Sequence, residues 1–153
     1  MSFQDAARNT LAVREHLRPG LQAVENVDRD RLRCSKPRRL RGSVSLERAL
    51  PPGQPNEPRW DYAIGLVSSP NDTVVWLEVH PASSTGNVGE VLRKLGWLKT
   101  WIAQDAPALS QLRRHFVWLA TGRVSFHSGS PQMKTAAQSG LLFRARQLNL
   151  DRF

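Results

Sequence analysis

Apolar positions along the chain alternate between a helical period and a period of two, and the switches mark its elements. From Ser2 to Leu17, Phe3, Ala6, Ala7, Thr10, Val13 and Leu17 gather on one side at helical spacing, and Pro19-Gly20 supplies the stop. Leu21 to Val27 has the character of one further helical turn. Two β-prone runs, Trp60 to Val67 and Thr73 to His80, are joined by Ser-Ser-Pro-Asn-Asp, whose turn residues predict a hairpin connection. In the second run the period of two puts Val75, Leu77 and Val79 on one face and Trp76, Glu78 and His80 on the other. The strongest helical signal follows: from Val88, residues Val91, Leu92, Leu95, Leu98 and Ile102 keep one stripe until Asp105-Ala106-Pro107. Asn87 with Glu90 resembles a capping arrangement at its start, and Thr85 is an alternative cap.

The remaining segments are shorter. Leu40 to Leu50 contains a strand around Ser43 to Leu46, Pro51 to Pro58 reads as a Pro-rich loop, and His115 to Gly122 reads as a further strand. Ser130-Pro131 opens a helical turn running to Gln138, and Leu141 to Leu150 alternates as a final strand. The order is helix, three strands, helix, strand and a C-terminal addition, which predicts a mixed α/β fold. The length of 153 residues suits one domain spanning 1–153. Trp97 and Trp101 fall opposite the apolar stripe, so the pattern requires a cover for them, either the N-terminal segment or a second copy in a homodimer.

Charge adds a direction. Twenty-two Lys and Arg against 13 Asp and Glu give a formal charge of +9, which favours a polyanionic partner such as nucleic acid. The excess is steepest between Asp28 and Arg41, where Arg29, Arg31, Arg33, Lys36, Arg38, Arg39 and Arg41 stand against Asp28 and Asp30. Such a run can track phosphates, and it can equally be a solvated edge that discourages strand pairing. Arg113 and Arg114 form a second basic spot. The single cysteine, Cys34, excludes an internal disulfide and a Cys-based zinc cluster within one chain and fits a reduced, cytoplasmic setting. No signal-peptide pattern opens the chain and no apolar run reaches bilayer length, so no membrane partner is expected.

The candidate chemistry lies on the two β-prone runs, each of which carries a carboxylate. Asp61 opens the first and Glu78 sits inside the second, where an acid is costly to bury unless it is paired, protonated or bound to a metal. A turn-capping Asp and a Glu paired with the neighbouring His80 would account for the same residues without a site. Other motifs offer less. Gly86-Asn87-Val88-Gly89 lacks the Gly-Lys-Ser/Thr of a phosphate-binding loop, Ser125 to Pro131 reads as a polar turn, and the histidines lack zinc spacing.

With Asp61 on one strand and Glu78-Val79-His80 on the next, followed by an amphipathic helix and another strand, the chain resembles the PD-(D/E)XK nuclease superfamily, the restriction-endonuclease-like enzymes. The resemblance runs from the N-terminal helix to about Gly122 and implies a mixed sheet flanked by helices. It implies a divalent cation, Mg²⁺ or Mn²⁺, held by Asp61, Glu78 and the main-chain carbonyl of Val79, and hydrolysis of phosphodiester bonds in DNA or RNA. The family's lysine position is His80 here. Imidazole can act as general base or as a ligand, and the set Asp61, Glu78 and His80 suits Mn²⁺ better than Mg²⁺. In some relatives of that family the lysine has moved to the following helix, which makes Lys99 the first position to examine and Lys94 the second. The basic residues named above would grip phosphates. The rival expectation is a noncatalytic module on the same fold that binds nucleic acid or a protein.

Overall fold

The structure is a computed structural model that describes residues 1–53, 57–127 and 129–153. Residues 54–56, within the predicted Pro51–Pro58 loop, and Ser128, within the predicted polar turn, lie outside them. In chain order the elements are α1 (Phe3–Arg8), α2 (Asn26–Arg29), β1 (Leu32–Arg33), β2 (Leu40–Ser45), α3 (Leu46–Ala49), β3 (Tyr62–Leu66), β4 (Thr73–Pro81) and α4 (Thr85–Asp105). They continue with α5 (Pro107–Ser110), β5 (Arg113–Thr121), α6 (Pro131–Gln138), β6 (Leu141–Ala145) and β7 (Leu148–Asn149). Five strands form one mixed sheet in the order β2-β3-β4-β5-β6. The first three are antiparallel neighbours, whereas β4, β5 and β6 run parallel, with α4 and α6 as crossovers. The chain is thus a mixed α/β fold with helices flanking its sheet.

The first helix is shorter than its apolar pattern predicts. The Ser2 hydroxyl accepts from the Asp5 amide at 3.1 Å, but the helix stops at Arg8, where the Asn9 amide bonds Asp5 O and the Thr10 hydroxyl donates to Ala6 O at 2.8 Å. A side-chain donor thereby closes the last turn. Phe3, Ala6, Ala7, Thr10 and Val13 are nevertheless all buried, because the chain turns back over the sheet and keeps the same face inward. The strand predicted at Ser43 to Leu46 starts earlier and ends at Ser45, whose hydroxyl caps α3 by accepting from the Arg48 amide at 3.3 Å. The expected final strand divides at Arg146, where φ is 70°. Beyond it β7 leaves the main sheet to pair with β1.

Both faces of the sheet are buried. Trp76 and Trp118 face α1, α4, α5 and α6, while Ile64, Val75, Leu77, Val117 and Leu119 face the segment around Val24 and Leu32 and the C-terminal Leu148 and Leu150. The alternation expected along β4 is therefore the observed one. Phe3 reaches this depth because Gly65 has no side chain: a Cβ there would sit 2.2 Å from Phe3 Cγ. Gly65→Ala is accordingly expected to destabilise the protein by about 1–3 kcal/mol through overpacking, seen as a lower urea midpoint with an unchanged slope.

Trp97 and Trp101 stack, with centroids 6.1 Å apart and planes 12° from parallel, and Trp101 meets Trp76 edge-on. The Trp97 indole donates to Glu57 Oε1 at 3.0 Å, and Leu50, Pro51 and Arg59 line the same surface. Trp101 is therefore part of the core rather than opposite the stripe, and Trp97 is half-buried against it beside Glu57. Among the described residues no helix is long and apolar enough to cross a membrane.

Candidate functional site

The antiparallel register of β3 and β4 pairs Tyr62 with Leu77, so Asp61 and Glu78 are the next cross-strand neighbours, on the face toward α4. Asp61 Oδ2 accepts from the Val79 amide at 2.9 Å, which fixes the carboxylate against the end of β4. Glu78 is fully enclosed. Its Oε2 accepts from Lys94 Nζ at 2.6 Å, and its Oε1 is buried without a hydrogen-bond partner. A buried carboxylate oxygen left this way is costly, so the feature calls for a chemical explanation.

Helix α4 supplies the opposite wall. The cap falls at Ser84 rather than at Asn87 or Thr85: Asn87 sits at N3 of a capping box, its Oδ1 accepting from the amides of Ser83 and Ser84 at 3.0 and 3.1 Å. Glu90, expected as the other half of that cap, turns instead to His80, with Oε2 2.6 Å from Nε2. Glu90 and Lys94 lie four residues apart and so share a helix face. That face runs along the end of β4, while Val91, Leu95, Leu98 and Ile102 stay buried on the stripe that the periodicity predicted. The main chain of His80 is also anchored, since the Trp118 indole donates to its carbonyl at 2.9 Å.

The electrostatics follow from this packing. Burial pushes Asp61 up to about 7, and the nearby Glu78 charge adds to the effect, against the opposing Val79 N–H and Lys94. Lys94 stays firmly an ammonium. Burial alone would lower its pKa, but the Glu78 carboxylate more than offsets this and the net shift is upward. His80 is also raised, first by Glu78, whose Oε2 is 3.6 Å from Nδ1, and then by the bond to Glu90, with burial opposing. The two carboxylates favour the protonated form of the ring. Glu90 is correspondingly held below the usual carboxylate range by its bond to His80.

Asp61, Glu78, Val79 and His80 therefore come together as the sequence suggested, but Lys99 does not join them. Its ammonium donates to Ser139 O at 2.9 Å and lies 5.5 Å from the Phe116 ring centre. Five residues past Lys94 on a helix antiparallel to β4, Lys99 has moved about 7.5 Å along the axis, toward the start of the parallel strands. Lys94 is the helix lysine at the acids. It was the second of the two helix lysines that the sequence offered, and Glu90 was read there only as part of a cap.

The predicted basic grip is likewise divided. Arg113 and Arg114 pair with Thr73 and Val74 at the start of β4, about 13–16 Å of strand away from Trp118, the partner of Glu78. Arg39, bonded to Phe153 O at 2.6 Å, and Arg41, 3.2 Å from Asp72, belong to that far end as well. Arg29 donates to Val24 O and Arg33 to Asp30 O, while Lys36 and Arg38 are exposed on the segment leading into β2. Of the run, Arg31 lies at the end of the sheet that carries the acids, beside Arg123 and Arg146, which the sequence had not marked.

Among the described residues no group of three or more His, Cys, Asp and Glu side chains is arranged to hold a metal ion. Comparison with protein-family models, with curated proteins and with solved structures finds no match.

Proposed function

We propose that the chain is a restriction-endonuclease-like, divalent-metal-dependent nuclease acting on phosphodiester bonds of DNA or RNA. The observation that carries the reading is the pair of carboxylates on adjacent strands, Asp61 half-buried and Glu78 enclosed, with Glu78 Oε1 buried and unpartnered and the Lys94 ammonium 2.6 Å from Oε2. The order of elements supports it too: a helix, three antiparallel strands, a long helix and a parallel strand, with the acids flanking the β3–β4 pair.

The donors fit a hard cation. Asp61, Glu78 and the Val79 carbonyl would hold Mg²⁺ or Mn²⁺, ions that accept few protein oxygens and keep several waters. Such an ion, when bound, polarises a phosphoryl oxygen and acidifies a water. The unpartnered Oε1 and the charge repulsion felt by Asp61 are what a cation would relieve.

The chain's own groups supply the rest. Lys94 brings a permanent positive charge to the acids and takes the part that the family's strand lysine would play, facing the negative charge that develops on a phosphate. His80 is oriented by Glu90, and with its protonated form favoured by the two carboxylates it can give a proton to a leaving oxygen.

Incubating wild-type protein with single- and double-stranded DNA and RNA in Mg²⁺ or Mn²⁺ tests the reading. Fragments are expected with metal and none in chelator, and Glu78→Gln should lower the rate by more than about a hundredfold, since even outer partners of metal sites cost 10–100-fold. A noncatalytic module would instead bind nucleic acid with strong salt dependence in chelator and cleave in no condition.

A further inference from the structure

The sheet end that carries the acids also carries a second feature, an open cleft of about 860 Å³ that the proposed chemistry does not use. Its walls come from three separate segments. Arg31 follows α2, Arg123 follows the turn that ends β5, and Arg146 follows β6, with Asp30 as the carboxylate among them. Among the described residues none of these three guanidinium groups has an ion-pair or hydrogen-bond partner, and Arg31 Nε is buried without one. Elsewhere Arg29, Arg33, Arg39 and Arg41 are each tied to a carbonyl or a carboxylate, while Arg38, Arg93, Arg113 and Arg152, also without a partner among the described residues, do not line this cleft. Three unpaired guanidiniums converging on one cleft repel one another, and an anion with several oxygens relieves that repulsion.

The backbone at Arg146 sharpens the point. Its φ of 70° lies in the left-handed region, where glycine is comfortable and a side chain costs on the order of 1 kcal/mol. The position holds an arginine all the same, so its side chain points to a use beyond the turn. The Arg146 amide donates to Ala120 O at 2.9 Å, and Ala120 is the register partner of His80. Two strand spacings, about 10 Å, therefore separate this arginine's backbone from that of His80. On the other side, Val27 lines the cleft next to Asp28, which accepts from the Tyr62 hydroxyl at 2.6 Å, one residue from Asp61.

We propose that Arg31, Arg123 and Arg146 form a phosphate-binding cleft that holds the backbone of the same nucleic-acid strand that crosses the Asp61–Glu78 site. The proposal rests on the nuclease reading for its ligand. The shared chemistry is a phosphate oxygen set, either internal diesters or the monoester at a strand end.

The test is fluorescence anisotropy with short single-stranded oligonucleotides, 5′-phosphorylated or 5′-hydroxyl, in chelator so that nothing is cleaved. Arg146→Gly removes the side chain while favouring the turn, so its melting temperature should hold or rise. With Arg123→Ala it is expected to weaken binding by about tenfold or more. Arg113→Ala with Arg114→Ala, at the far end, should leave affinity unchanged. A preference for the phosphorylated strand assigns the cleft to a terminal monoester, and equal affinity assigns it to internal diesters.

Wild-type affinity in the Arg123→Ala, Arg146→Gly protein overturns the cleft, and does so without touching the nuclease reading if that variant still cleaves with Mn²⁺. Binding lost in the variant while the wild type cleaves in no condition keeps the cleft and removes the nuclease reading.

Discussion

Replacing Lys94 by methionine is expected to destabilise the fold by about 3–5 kcal/mol, because it leaves the enclosed Glu78 charge without its closest cation. The Lys94 side chain is 23% exposed and that of Glu78 0%, so water cannot take over the lost role at the carboxylate. His80, at 3.6 Å from the same oxygen, is too far to replace a 2.6 Å charged hydrogen bond. In a chain of this size the loss corresponds to a drop in melting temperature on the order of 10 °C. Lys94→Met combined with Glu78→Met should recover most of the stability, since neither charge is then left alone. Both proteins should be inactive. A double variant as unstable as the single one would show that the loss does not come from leaving the Glu78 charge unpaired.

Asp61→Asn is expected to raise stability above neutral pH while abolishing cleavage. The sign follows from the direction of the shift. Asp61 rises from the ordinary 3.8 to about 7, so the folded state holds its proton more tightly than the unfolded chain does. The resulting stability is fully present below the unfolded value near 3.8 and is lost as pH rises through about 7. Over that window the loss is on the order of 2–4 kcal/mol. Asparagine keeps an acceptor for the Val79 amide and does not titrate, so the variant's melting temperature should be flatter than the wild type's between pH 4 and pH 7 and higher at pH 8. Parallel pH curves for the two proteins would mean that Asp61 ionises as freely as an exposed acid. A carboxylate retained where it weakens the fold is what a functional role explains.

What was legible in the sequence and what was not divide along a physical line. The mixed α/β order, the face alternation of β4 and the stripe of α4 follow from local period and turn chemistry, which one chain segment states by itself. The pairing of Asp61 with Glu78 was readable because a short hairpin connection fixes the register. Lys94 and Glu90 were harder, since their role depends on how α4 lies across the sheet, and the helical projection put Lys99 ahead of Lys94. The division of the arginines was not readable at all. Arg31 and Arg39 are close in sequence but reach opposite ends of the strands, while Arg31, Arg123 and Arg146 meet only because β7 returns to β1. The early stop of α1 depended on one Thr10 hydroxyl bond that competes with helix continuation.

The central claim is that Asp61 and Glu78 hold a divalent cation, and calorimetric titration of Mn²⁺ into the wild type and the Asp61→Asn, Glu78→Gln variant tests it most directly. The account predicts saturable binding to one site in the wild type and at least about a tenfold weaker interaction in the variant, a difference of about 1.4 kcal/mol. Equal binding in both proteins, or none in the wild type, would contradict it.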